Sequence, residues 1–132
     1  LVRLQERYGI SIILIAHDLG VVAQMADEVA VMYAGSIVES AKVDTLYNRP
    51  RHPYTSSLLA SRPRWDRESS EPLVAIRGTP PSLIDLPDEC AFLPRCHKAI
   101  NACRTSPRPD LEEVEPLHYA ACYNPMYVPV EN

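Results

Sequence analysis

Residues 10–39 read ISIILIAHDLGVVAQMADEVAVMYAGSIVE, and the fold turns on how this stretch is read. Ile10 to Ala16 is apolar apart from Ser11 and rich in isoleucine, the pattern of a strand buried on both faces, as parallel strands usually are. The run ends at His17-Asp18. Open α/β sheets place their chemistry at the carboxyl ends of such strands, so a polar pair at this tip is a candidate site. Asp18 is also a good N-cap for a helix through Val21, Val22 and Met25. Val29 to Tyr33 then predicts a second strand, Ala34-Gly35 a turn, and Ser36 to Glu39 a third strand.

Outward from there, Leu1 to Tyr8 has the spacing of a helix end, with Leu1, Leu4 and Tyr8 on one face and Gly9 as its stop. The chain starts without methionine and in mid-pattern, as a piece of something longer would. Val43 to Tyr47 adds a helical turn. All 13 prolines lie at or beyond Pro50. This divides an α/β piece, residues 1–49, from a loop-rich piece, residues 50–132. In the second piece, Pro53 suits a first helical turn, and Tyr54, Leu58 and Leu59 would share its apolar face. Arg62 to Glu71, around Trp65, reads as a linker.

Several classes are excluded. A net charge of −4 without a basic run gives no support for nucleic-acid binding. No apolar stretch is as long as a membrane span, and the N-terminus is not a secretory signal. The four glycines, at 9, 20, 35 and 78, make no GxxxxGK[ST] phosphate loop. No acidic residue follows an apolar strand to hold magnesium. One histidine therefore has no phosphate-cradling amides around it, and these residues alone are not expected to bind or hydrolyse ATP.

Cys90, Cys96, Cys103 and Cys122 are spaced C-x5-C-x6-C-x18-C. The spacing lacks the paired CxxC of common zinc ribbons and the C-x2-C-x2-C of bacterial ferredoxins. Disulfides, a zinc site, free thiols and an iron–sulfur cluster are all compatible with it. His97 and His118 are conceivable substitute ligands, though four cysteines already make a full set.

The wording of residues 10–39 resembles the switch-histidine region of ABC transporter ATP-binding subunits, in the branch that imports dipeptides, oligopeptides and nickel. Arg51-His52-Pro53-Tyr54-Thr55 resembles the start of the C-terminal extension of that branch. Cys90-Ala91-Phe92-Leu93-Pro94-Arg95-Cys96 with Cys103 and Cys122 resembles its cysteine pattern. The resemblance implies an α/β fold, the C-terminal part of a P-loop ATPase domain followed by a cysteine-containing extension. It implies that His17 contacts the γ-phosphate of ATP in an intact ATPase, the catalytic role of the switch histidine. It also implies that Cys90, Cys96, Cys103 and Cys122 hold a 4Fe–4S cluster. A second ATP-binding subunit and transmembrane permease subunits are the implied partners, with a peptide-binding protein acting indirectly, at the cytoplasmic face of the membrane. The phosphate loop, signature loop and magnesium site would lie upstream. Two positions depart from the pattern. Glu89 stands where glycine is common, which puts the loop geometry before Cys90 in question, and His97 stands where proline is common. The unprotected strand Ile10–Ala16 further predicts self-association of the isolated chain.

Overall fold

Ala34 and Gly35 both take positive φ, 49° and 82°. Two successive left-handed residues make the tight turn whose twist suits a two-residue hairpin. They join β1, Glu28–Tyr33, to β2, Ser36–Lys42, with Tyr33 opposite Ser36. The computed structural model describes residues 1–61 and 75–127. The predicted linker Arg62–Glu71 lies outside the described residues.

The hairpin carries a bulge. Val31 faces Glu39 and Met32 faces Ile37, which leaves Val38 without a direct partner in the ladder. An extra residue in one strand reverses which side chains face inward beyond it. Met32 and Ile37 consequently point to solvent, while Glu39 and Ala41 point to the core. The Val38 carbonyl instead accepts the N–H of Ala121 at 2.8 Å.

That bond starts the docking of the chain's last elements. The sheet has four strands in the order β1-β2-β4-β3, with β3 spanning Glu112–Glu115 and β4 His118–Ala120. All three pairings are antiparallel. The proline-free first part and the proline-rich second part thus contribute two strands each to one sheet. Among the described residues, five short α-helices accompany it. They are α1 (Val2–Tyr8), α2 (Leu19–Met25), α3 (Val43–Asn48), α4 (Pro53–Ser61) and α5 (Asn101–Thr105). The helix at residues 2–8 stops at Gly9 with φ 61°, as its sequence predicts. Asp18 caps α2, its carboxylate accepting from the backbone N–H groups of Gly20 and Val21 at 2.8 and 3.2 Å.

The core is small, with aromatic rings packed among alanines. Phe92 and Leu46 are its largest apolar side chains, with Tyr33, Ala41, Ala120 and Ala121 around them. The Tyr33 ring lies 4.6 Å from Tyr54 and meets Phe92 edge-on at 5.3 Å. Such tilted contacts match the ring quadrupoles and add to the burial of area.

One expectation is overturned. Residues 10–16 form no strand, and no described strand runs beside them. Ile13 is 94% exposed and Ile15 90%. A buried parallel strand requires hydrogen-bonding neighbours at its edges and cover on its faces. The described sheet is antiparallel with β1 and β3 at its edges, and the run lies beside no described strand. The observed class is accordingly a small mixed domain of helices and antiparallel sheet.

Candidate functional site

The four cysteines come from four separate pieces of chain. Cys90 follows a turn in which the N–H of Glu89 bonds to the Pro87 carbonyl. Cys96 ends the 3₁₀ turn Leu93–Arg95, Cys103 lies on α5, and Cys122 follows β4. All four line a single cavity with His52, Pro53, Phe92 and Lys98. All four are free thiols. The glycine freedom missing at residue 89 is not needed, because positive φ among non-glycine residues falls at Ala34, Asp85 and Leu117 instead. His97 is exposed and does not line the cavity, and His118 is buried elsewhere.

The thiols affect one another. Burial, opposed by the backbone N–H of Asn124 and reinforced by Cys90, Cys96 and Cys103, pushes the Cys122 thiol up to about 11. Cys90 and Cys96 are raised for the same leading reason, burial, with neighbouring thiols adding to it. Backbone donors are already aimed at the sulfurs. The N–H of Lys98 lies 3.4 Å from Cys96 Sγ and that of Asn124 3.4 Å from Cys122 Sγ. The N–H groups of Phe92 and Leu93 serve Cys90. Burial and mutual repulsion oppose thiolates until a cationic group compensates them, and amide donors favour the charged sulfur. Among the described residues, no group of three or more His, Cys, Asp or Glu side chains is arranged to hold one metal ion. The four cysteines line one cavity without forming such a group. By number, type and backbone donors the set fits a polynuclear thiolate-bound centre, in which hydrogen bonds to sulfur tune the group.

A second cluster of polar side chains adjoins this cavity. Glu39 and His118 are both 0% exposed. Glu39 Oε2 lies 2.5 Å from His118 Nε2, and His118 Nδ1 lies 2.7 Å from Glu115 Oε1. The His118 ring thus lies between two carboxylates, which only accept, and which of its nitrogens donates is set by its tautomer. Arg49 stands 3.8 Å from Glu115 at the more exposed end. Glu39 also accepts the backbone N–H groups of Arg51 and His52, each at 2.8 Å. A fully buried carboxylate is thus met by three donors, which is what burial of a charge requires.

His52 is the link between the two clusters. Its Nδ1 accepts from Tyr54 N–H at 3.0 Å, the bond an N-cap side chain makes, ahead of Pro53 in the first turn of α4. Its other edge bonds to the backbone of Ala121. Burial lowers its pKa from 6.5 to about 4, so it is neutral at pH 7. The Arg51-His52-Pro53-Tyr54-Thr55 stretch therefore joins the Glu39 cluster to the thiol cavity.

His17 lies at the surface just before α2, with Asp18 turned to the helix as its cap. It does not line the thiol cavity. Glu39 and His118 were not singled out as partners by sequence reasoning. The available signal was the bulge at Val38, which turns Glu39 inward, and a bulge has no residue signature of its own here.

Over residues 38–103 the chain matches the family described as the oligopeptide/dipeptide transporter, C-terminal region. The oligopeptide transport ATP-binding protein OppD of Mycobacterium tuberculosis is 50% identical over 114 residues, 86% of this chain and 18% of that protein. A putative peptide import ATP-binding protein of Brucella ovis is 44% identical over 119 residues, 90% of this chain and 37% of that protein. OppD of Salmonella typhimurium is 42% identical over 123 residues, 93% of this chain and 36% of that protein. The chain thus spans between about a fifth and a little over a third of the length of these curated relatives.

Proposed function

Because the chain belongs to the oligopeptide/dipeptide transporter C-terminal-region family, we propose that it works as part of an ABC importer's ATP-binding subunit, taking up di- or oligopeptides, or nickel. The family match over residues 38–103 carries this reading, together with relatives whose names specify peptide import and ATP binding. The partners are a second ATP-binding subunit and transmembrane permease subunits, with an extracytoplasmic binding protein acting through them. The subunit sits at the cytoplasmic membrane face. Among the described residues, no helix is long and apolar enough to cross a membrane.

In this reading His17 faces the γ-phosphate when the phosphate loop and magnesium site of an intact ATPase surround it. An imidazole N–H donates there to phosphoryl oxygen as charge develops in the transition state. Asp18 supports it by fixing the start of α2. The test is steady-state turnover of an intact ATPase containing these residues. His17→Ala lowers turnover on the order of 10²-fold, while the 132-residue chain alone shows no ATP binding by calorimetry. Near-normal turnover in the variant reduces His17 to a surface residue and removes the catalytic assignment.

Cys90, Cys96, Cys103 and Cys122 are the residues that would hold a 4Fe–4S cluster. When bound, such a group supplies one-electron chemistry or, as the reading favours here, a covalent cross-link for a loop-rich segment. The thiols' contribution is to present four sulfurs with amide donors already placed on Cys90, Cys96 and Cys122. Anaerobic purification followed by iron and acid-labile sulfide analysis checks it, with about four of each per chain expected for this cluster type. Zinc without iron favours the alternative reading, an independent structural metal module.

A further inference from the structure

The walls of the thiol cavity are not held by the cysteines themselves. His52 and Pro53 form one side. Their position depends on the Glu39 carboxylate, which takes the N–H of His52 on one oxygen and that of Arg51 on the other. Another part of the lining is Cys122, which follows Ala121 just past the end of β4. It depends on the same carboxylate, because Glu39 Oε2 also meets His118 of β4. Further bonds close the ring. The Ala121 N–H bonds to Val38 beside Glu39, the Ala121 backbone bonds to the His52 ring, and the Met126 N–H bonds to the Arg51 carbonyl at 2.6 Å.

We propose that Glu39 and His118 are positioning residues for the four-thiol site, a buried clasp that holds the His52–Pro53 wall against the Cys122 strand end and so keeps the cavity closed. The inference rests on the thiol site being a binding centre only for its consequence, slower loss of the bound group. The closure itself is a property of the polypeptide. The clasp has the features such a role needs. It is fully buried, each of its atoms on Glu39 is committed, and it spans strands far apart in sequence, β2 and β4. Releasing one side of it leaves buried N–H groups at Arg51 and His52 without an acceptor. That loss favours an opened wall, by roughly tenfold or more in equilibrium constant for one unsatisfied group.

The test uses the full chain, metal-free and reduced, at fixed pH. Alkylation rates of Cys90 and Cys122 are followed by mass spectrometry, alongside hydrogen exchange of individual amides. In Glu39→Gln, which keeps the side-chain size, both thiols label about tenfold faster or more. The amides of residues 51 and 52 lose protection, while amides of β1 stay protected and unfolding stays cooperative. A merely structural role for Glu39 predicts equal loss of protection throughout the sheet. Equal loss overturns the proposal, and so does an unchanged labelling rate. If Glu39→Gln does not fold, the unmodified chain decides. A clasp makes the His52 amide and the Cys122 thiol open in one event, so their protection factors agree within about threefold, the usual context spread of such contributions. Labelling of Cys122 far ahead of His52 exchange overturns the proposal. Iron and sulfide content is measured separately on the unmodified chain. An iron-free result ends the cluster reading and leaves these rates standing. Unchanged rates in the variant end the clasp whatever the iron content.

Discussion

Ile10–Ala16 is apolar apart from Ser11 yet lies open to solvent, with Ile13 94% exposed, whereas Glu39 and His118 are ionisable and 0% exposed. The difference shows what each kind of residue needs. An apolar run supplies a driving force and no address, and it is buried only where another surface exists to cover it. A buried carboxylate carries its own requirements, because each oxygen must meet a donor in fixed geometry. Glu39 meets three, and in doing so specifies where β4 and the His52 loop must lie. Here the polar cluster orders the extension, while the greasiest segment orders nothing in the described structure.

The largest expected effect tests that contrast directly. Glu39→Ala leaves His118 buried against one carboxylate and orphans two backbone N–H groups. It should destabilise the chain by about 3–5 kcal/mol, the range for breaking a buried pair from one side. His118→Ala should cost a similar amount. The double variant should cost clearly less than the sum of the two, with a coupling on the order of 1–3 kcal/mol. Urea unfolding at pH 7 measures all three. Additive costs would mean that the two groups do not depend on each other, and that the polar cluster does not order the extension.

A pH effect of intermediate size sharpens it. The folded state holds His52 neutral, with its pKa lowered from 6.5 to about 4. The unfolded chain therefore binds a proton that the folded chain refuses. Stability contributed by this group is complete above pH 6.5 and falls as pH drops toward 4. The full loss from His52 is on the order of 3 kcal/mol. Urea midpoints between pH 7 and 4 should fall accordingly, on top of whatever other groups contribute. His52→Asn retains a side-chain acceptor for the Tyr54 N–H without a titrating ring, so it should flatten that part of the slope. An equal slope in the variant would place the acid sensitivity elsewhere.

These cases also show what the sequence could and could not reveal. Gly9, Asp18, Pro53 and the Ala34-Gly35 turn act through local chemistry, and each ends or begins an element where its residue type demands. The hairpin strands were legible for the same reason, although β2 runs on to Lys42, where Ala41 and Lys42 pair with Val29 and Glu28 of β1. β3 and β4 were not legible. Their short segments, EEVE and HYA, carry little strand pattern; β4 forms by pairing with a hairpin some eighty residues earlier, and β3 by pairing with β4. The convergence of four widely spaced cysteines was visible as a count, and their common cavity required the fold. His52 illustrates the limit best. Its neighbours suggested a helix start, and nothing local could show that Glu39 holds its backbone from across the sheet.

The smallest effect on stability concerns the exposed run. Ile13 and Ile15 touch little, so Ile13→Ser and Ile15→Ser should change the unfolding free energy by less than about 0.5 kcal/mol each, the range for surface positions. Their effect on association should be much larger than that. The segment Ile10–Ala16 has no charge and no proline, and its backbone groups belong to no described ladder, which favours pairing with a second chain. Light scattering on the 132-residue chain across a concentration series should show mass rising above one chain. The double serine variant should hold at one chain over the same range. If the unmodified chain also stays monomeric, exposed isoleucines here do not drive pairing, and the run is tolerated as free surface. If both associate alike, the contact lies elsewhere, and the exposed Met32–Ile37 pair on the outer face of the hairpin becomes the next position to change.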